Sequence, residues 1–188
     1  MASKEYLEQV TVGNVTELTG KIVLQEYNPA WEEMFREEKE KIGNALNWRN
    51  ITIEHVGSTS VPGLCAKPIL DILLLVADSA DEDSYVKALE KEGYVLKIRE
   101  EEWFQHRMCK GANPEVNLHV FSIGCEEAER MIQFRDWLRS HEDDRKLYAD
   151  VKRKLANKEW KYVQDYADAK SEVVQEIFHH IRCSRSDH

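Results

Sequence analysis

With 188 residues, 42% of them hydrophobic and 32% charged, the chain fits one globular domain and leaves too little length for a second. Lys and Arg number 26 against 35 Asp and Glu, a net charge of −9, so the overall field disfavours nucleic acid and anionic membranes as partners. Four scattered cysteines, no apolar leader after Met1 and a longest apolar run of only Ile72 to Ala77 lead to the expectation of a cytoplasmic protein with reduced thiols and no membrane span.

Residues 1–19 show no clear apolar period and read as an appended arm. Lys21 to Tyr27 (KIVLQEY) reads as a strand ending at Asn28 and Pro29, where Asn suits a helix cap and Pro a first turn. The helix that follows sets Trp31, Met34, Phe35, Ile42, Ala45 and Leu46 on one face and Glu32, Glu33, Glu37 and Lys41 toward water. Ile51 to Val56 (ITIEHV) is β-branched and predicts a strand, broken at Gly57 by a loop of small residues running to Gly63. Ile69 to Val76 (ILDILLLV) is apolar on both faces except for one charge, the pattern of a central strand. Asp81 to Glu92 predicts a helix stopped by Gly93, followed by strands at Tyr94 to Arg99, Trp103 to Cys109 and Val116 to Ile123. From Glu126 the pattern is helical to Arg182, with breaks near Ser140 to Asp144 and near Trp160, and residues 183–188 form a polar tail. Without repeats or a Gly/Ser hinge, the C-terminal helices are expected to pack on the sheet, giving an α+β fold with one domain over residues 20–182.

Asp71 is the sharpest chemical signal, because a carboxylate among Leu, Ile and Val is costly to bury unless it is paired, hydrogen-bonded or bound to a metal. The loop Gly57, Ser58, Thr59 and Ser60 is the second: glycine permits close backbone approach, and hydroxyls with consecutive N–H groups suit a phosphate. Ser58 lies thirteen residues before Asp71, and Lys67 adds a cation between them. His55 precedes the loop, and His119 shares a strand face with Asn117 and Phe121. Converging with Asp71, these two histidines would ligate a transition metal or perform acid–base catalysis near neutral pH. Arg145 to Lys161 carries seven basic residues against two acidic ones; it reads as a solvated face, or as an attractor for phosphates if it turns toward the loop. Arg135 and Lys170 read as weaker candidates of the same kind.

The run His55 to Ile72 (HVGSTSVPGLCAKPILDI) resembles the signature of the GrpB family, and Tyr27 to Trp31, Leu118 to Val120, Phe134 to Arg139 and Tyr166 to Lys170 are similar to further stretches of it in the same order. The resemblance covers about Lys21 to Ile181. It implies a nucleotidyltransferase-like mixed β-sheet flanked by helices, whose motif is a Gly-Ser loop followed by an Asp-x-Asp strand. Gly57, Ser58, Thr59, Ser60 and Lys67 would hold the phosphates of a nucleotide or other small phosphate ligand, Asp71 would bind Mg²⁺, and Asp71, His119 and His55 would form the catalytic set. The sequence departs from the pattern at Leu73, where the second carboxylate belongs. The resulting expectation is a nucleotidyltransferase-like protein binding a phosphate ligand with a divalent cation; the alternatives are a non-catalytic metabolite- or partner-binding module and a His/Asp metal-dependent hydrolase.

Overall fold

The computed structural model describes residues 4–15 and 21–186. Strands β1 (Thr52–Val56), β2 (Leu70–Val76), β3 (Val95–Glu100), β4 (His106–Ala112) and β5 (Glu115–Ser122) form one sheet in the order β1-β2-β5-β4-β3. Only the pairing of β2 with β5 is parallel, so the sheet is mixed. Helices α1 (Lys4–Val10), α2 (Ala30–Ala45), α3 (Val86–Lys91), α4 (Glu126–Ser140), α5 (Glu142–Ala156), α6 (Val163–Asp168) and α7 (Ser171–Ser186) surround it. The expected α+β class, with C-terminal helices packed on the sheet, is what the structure has.

Strand alternation sorts the sheet into two unlike faces. Ile53, Ile72, Leu74, Leu118 and Val120 point one way and pack with Trp31 and Ile42 of α2 and Leu89 of α3. Val56, Leu73 and Phe121 point the other way, under Ala128 of α4. Asp71, Asn117 and His119 share this second face by register, and there α4 no longer covers the strands. Beyond them α5 and α7 join Val61, Leu64 and Cys65 in a separate core, with Tyr148, Val173 and Ile177 buried in it.

Several local expectations need correction. Lys21 to Tyr27 is not a strand: Ile22 and Leu24 turn toward the C-terminal helices, and the backbone pairs only through Gln25, whose partner Ala66 lies in a loop. Apolar alternation alone could not distinguish packing on helices from pairing in a sheet. The segment Asp81 to Glu92 divides at Tyr85 into a short 3-10 turn and α3, because the Tyr85 hydroxyl is drawn into the core to donate to the Ser79 carbonyl. Strand β4 begins at His106, since Phe104 and Gln105 adopt positive φ in the preceding turn. The break after α4 narrows to His141, and α7 continues past Arg182 to Ser186. Of the expected arm over residues 1–19, residues 1–3 and 16–19 lie outside the described residues; within the rest, Lys4–Val10 form α1 and Thr11 bridges to Ile98 on the edge strand β3.

Leu73 is fully buried between β1, β5 and α4. Truncation to Ala should lower unfolding stability by about 2–5 kcal/mol, the usual cost of removing a buried leucine side chain. Denaturant titration checks this, and a loss under 1 kcal/mol would mean that α4 is not closely packed on the sheet.

Candidate functional site

The site begins where β1 ends. Gly57 follows Val56, which is paired with Asp71, and adopts φ 67 and ψ −171, a region essentially restricted to glycine. A Cβ at this position would lie 2.4 Å from Asp71 Oδ2, so the backbone passes directly against the carboxylate. Ser58 to Ser60 then form one 3-10 turn whose bonds come from the Ser60 and Val61 N–H groups, leaving those of Ser58 and Thr59 outside the turn's own pairing.

Asp71 is half-buried, with 30% of its side chain exposed. Asn117 donates to its Oδ1 at 2.9 Å, and His119 Nε2 lies 3.6 Å from the same atom. Burial works to raise its pKa, but the opposing influence of His119, Asn117 and Lys67 prevails and holds it below the usual carboxylate value. The carboxylate is therefore ionised at neutral pH.

Three lysines gather around this charge, each close enough to feel it: Lys67, Lys152 and Lys170. Lys152 is 3% exposed and donates to the Cys65 carbonyl. Lys67 and Lys170 stand over the ring of Tyr166 at 5.6 and 4.8 Å from its centre. Burial lowers the pKa of all three, with Lys170 the next influence on the other two; Lys152 falls to about 7. Among the described residues none of the three forms an ion pair with a carboxylate. Tyr148 of α5 lies beside Ser58, whose influence lowers its pKa, but burial outweighs this and raises it, so it stays protonated. The Tyr166 hydroxyl is buried with no hydrogen-bond partner among the described residues.

The structure thus brings together Gly57, Ser58, Lys67, Asp71 and His119. It does not bring His55 to them. Antiparallel pairing sets His55 opposite Ile72, so its ring lies on the α2 face, stacked on Phe35 with centroids 4.7 Å apart. There Nε2 sits 3.0 Å from the Thr59 hydroxyl, and burial lowers the pKa to about 4, leaving the ring neutral. Thr59 and Ser60 are likewise occupied, Ser60 donating to the Gly57 carbonyl at 2.6 Å. His55, Thr59 and Ser60 line a separate cavity of about 420 Å³ with Phe35, Arg135 and Arg139. Arg135 there pairs with Glu54 and Asp136, and Arg139 with Asp136 and the Ser60 carbonyl, so its charges are largely met.

Sequence reasoning missed Lys152, Tyr148, Tyr166 and Asn117 and ranked Lys170 low. The available signal was the basic run from Arg145, which does turn its Tyr148 and Lys152 toward the loop. Leu73 shares the Asp71 face as strand geometry requires, and Glu54, directly across from it on β1, is held by Arg135 at 2.6 Å.

The fold and site define an α+β protein with a mixed sheet, in which a Gly-Ser turn, a single carboxylate and a lysine basin meet at a strand end. Residues 21–180 match the family profile described as GrpB protein, and the chain belongs to the GrpB family. A UPF0157 protein of Halalkalibacterium halodurans is 57% identical over 173 residues, 92% of this chain and 89% of that one. The crystal structure of conserved protein GrpB from Enterococcus faecalis superposes with a TM-score of 0.66 at 29% identity, covering 83% of this chain and 99% of that chain. The Cid1 poly(U) polymerase gives a TM-score of 0.42 at 9% identity over 79% of this chain and 46% of that one.

Gly57→Ala should cost about 1–3 kcal/mol from backbone conformation alone, with the clash against Asp71 added. Chemical denaturation measures it; wild-type stability in the variant would show that the close approach is not required.

Proposed function

We propose that this chain binds a nucleotide or similar small polyphosphate, together with a divalent cation, between the Gly57-Ser58 turn and Asp71, in the manner of a nucleotidyltransferase-like protein with weak or absent transfer activity. The observation that carries this reading is the lysine basin. Three desolvated ammonium groups beside one carboxylate repel each other in a low-dielectric setting, and a bound polyphosphate would supply the missing negative charge. The Tyr166 hydroxyl, which has no acceptor in the described protein, would donate to the same ligand.

Asp71 fits a cation only in part. Among the described residues no group of three or more His, Cys, Asp or Glu side chains could hold a metal ion. Mg²⁺ commonly binds through one or two carboxylates plus substrate phosphates and water, so Asp71 would take up a cation already carried by the ligand. Such a cation would supply charge neutralisation at the phosphates. The chain's residues divide the remaining work: Lys67, Lys152 and Lys170 bind the anion, Ser58 and the turn's N–H groups orient it, and Asn117 holds the Asp71 carboxylate in place. Leu73 lies where a second metal would need a carboxylate and Glu54 is occupied by Arg135, which favours binding over rapid group transfer. The 3.6 Å approach of His119 to Asp71 favours metal-dependent hydrolysis as a second reading. No helix among the described residues is long and apolar enough to cross a membrane.

Thermal denaturation with nucleoside triphosphates or tripolyphosphate and Mg²⁺ tests the reading: ligand at one hundred times its dissociation constant should add about 2.7 kcal/mol. No shift with any of them would overturn it. Lys152→Met should weaken tripolyphosphate binding roughly tenfold or more, the worth of a charge-assisted hydrogen bond. Asp71→Asn should leave phosphate binding but remove its enhancement by Mg²⁺, both readable by calorimetry. Hydrolysis of the bound nucleotide in step with added Mn²⁺ or Zn²⁺ would favour the second reading.

The pH dependence follows from Lys152, whose pKa burial lowers to about 7. A bound anion stabilises the ammonium, so binding takes up a proton above that pH, and affinity should fall as pH rises from neutrality toward the ordinary lysine range. The slope should flatten in Lys152→Met. An unchanged slope would assign the proton uptake to another group.

A further inference from the structure

The Gly57 to Ser60 turn borders a second cavity, lined by Thr59 and Ser60 but not by Asp71, between the edge strand β1 and helices α2 and α4. Its volume of about 420 Å³ falls within the usual range of small-molecule clefts, roughly 300–1,000 Å³. Ion pairs meet most of the charge in it but not all. Three guanidinium groups, of Arg36, Arg135 and Arg139, line it against two carboxylates, of Glu32 and Glu54, an excess of one positive charge. Arg135 is closely engaged, by Glu54 at 2.6 Å, Asp136 at 2.8 Å and the His55 carbonyl at 2.9 Å. Arg139 is engaged at one end only: its Nε donates to the Ser60 carbonyl at 2.9 Å, its Nη1 lies 3.8 Å from Asp136, beyond hydrogen-bond reach, and its Nη2 has no partner among the described residues.

Asp136 approaches these arginines from the rim, where its side chain is half exposed to water, so it offsets little of the surplus. The surplus is felt inside the cavity. After burial, the field of Arg139 is the largest influence on His55, with Asp71 opposing, and the ring is held neutral with its pKa lowered to about 4. The apolar part of the wall is aromatic: Phe35 stacks one face on the His55 ring, and Tyr27 lines the cavity with it. Glu32, Phe35 and Arg36 stand three and four residues apart on α2, the spacing that puts side chains on one helical face.

We propose that this cavity is a second ligand site, for a small molecule carrying one carboxylate on an aromatic ring, with Arg139 as its anchor and Phe35 and Tyr27 as the wall for the ring. A planar carboxylate matches the paired donors of a guanidinium. Here Nη1 and Nη2 of Arg139 take it, and Nε stays on the Ser60 carbonyl. One negative charge balances the surplus, whereas a phosphate dianion would meet Glu32 and Glu54 with a charge to spare. Ser60 in turn donates to the Gly57 carbonyl at 2.6 Å, so the anchor lies two hydrogen bonds from the glycine that passes Asp71. The site goes beyond the phosphate-binding reading above and uses neither Asp71 nor the three lysines.

Benzoate, one ring with one carboxylate, is the probe. Titrated into the full-length protein labelled with ¹⁵N and ¹³C, it should move the resonances of Phe35, His55 and Arg139 and leave those of Asn117 and Lys152 in place. Benzamide, which lacks the charge, should bind at least roughly tenfold more weakly, and phenyl phosphate should also bind more weakly than benzoate. Arg139→Lys keeps the charge and a donor for the Ser60 carbonyl but loses the planar fork, and should weaken benzoate roughly tenfold. Glu32 is exposed and makes no side-chain hydrogen bond among the described residues, so Glu32→Gln leaves the fold alone; by removing a like charge it should tighten benzoate about twofold to threefold. Absence of shifts at Phe35 and Arg139 with millimolar benzoate overturns the proposal, as does equal binding of benzamide or an unchanged affinity in both variants. Displacement of benzoate by tripolyphosphate overturns it too, since that would put benzoate among the lysines.

Discussion

The passage of the Gly57 backbone against the Asp71 carboxylate organises everything around it. No side chain fits between them, so β1 must end at Val56 and the chain must turn in a conformation available essentially to glycine. That turn puts the Ser58 hydroxyl against Tyr148 and carries Val61, Leu64 and Cys65 into the core built by α5 and α7. The C-terminal helices are thereby seated where Lys152 and Lys170 feel the charge of the same carboxylate. A charge in the strand and a glycine in the loop would each be costly alone; together they bring the turn, Asn117 and His119 to one carboxylate.

The sheet separates two kinds of chemistry by face. Residues paired with even-numbered positions of β2 enter the apolar layer under α2 and α3, and residues paired with Asp71 and Leu73 face the helices α4, α5 and α7. A protein of net charge −9 thus holds a local basin of positive potential, since the basic side chains of the C-terminal helices are brought to one end of one face. Whole-molecule charge speaks for long-range encounters, whereas a cleft with low-dielectric walls sets its own field.

Much of this arrangement was legible in residue pattern. A single carboxylate in ILDILLLV and a glycine ending ITIEHV mark the two halves of the site, and period-two alternation places Asn117 and His119 together. What alternation could not supply was the pairing between strands. His55 and Asp71 look close in sequence, yet their register sends them to opposite faces, and the same register unites Glu100, His106 and His119 from three separate stretches. Lys152 and Lys170 were hidden for a different reason. Lys152 lies in α5 and Lys170 in the turn between α6 and α7, places where lysine usually reaches water, and only the docking of these elements beside the Ser58 turn removes that option. The strand expected at Lys21 to Tyr27 failed because Ile22 and Leu24 have the spacing of a strand but helices for partners.

The docking of the N-terminal segment on β3 bears on self-association. A sheet edge offers a row of unsatisfied backbone groups that another chain can extend, and natural proteins blunt such edges with charge, short strands or a covering segment. Here Thr11 bridges to Ile98 and the Val12 N–H donates to the Lys97 carbonyl at 2.8 Å, so the chain covers part of its own β3 edge, while β1 at the opposite edge is only 5 residues long. Because Tyr6 of α1 also donates to Glu100, the segment that covers part of the β3 edge is joined to the far end of the Glu100–His106–His119 chain. Peeling it away would expose the backbone edge of β3 and free Glu100 from Tyr6 in one motion.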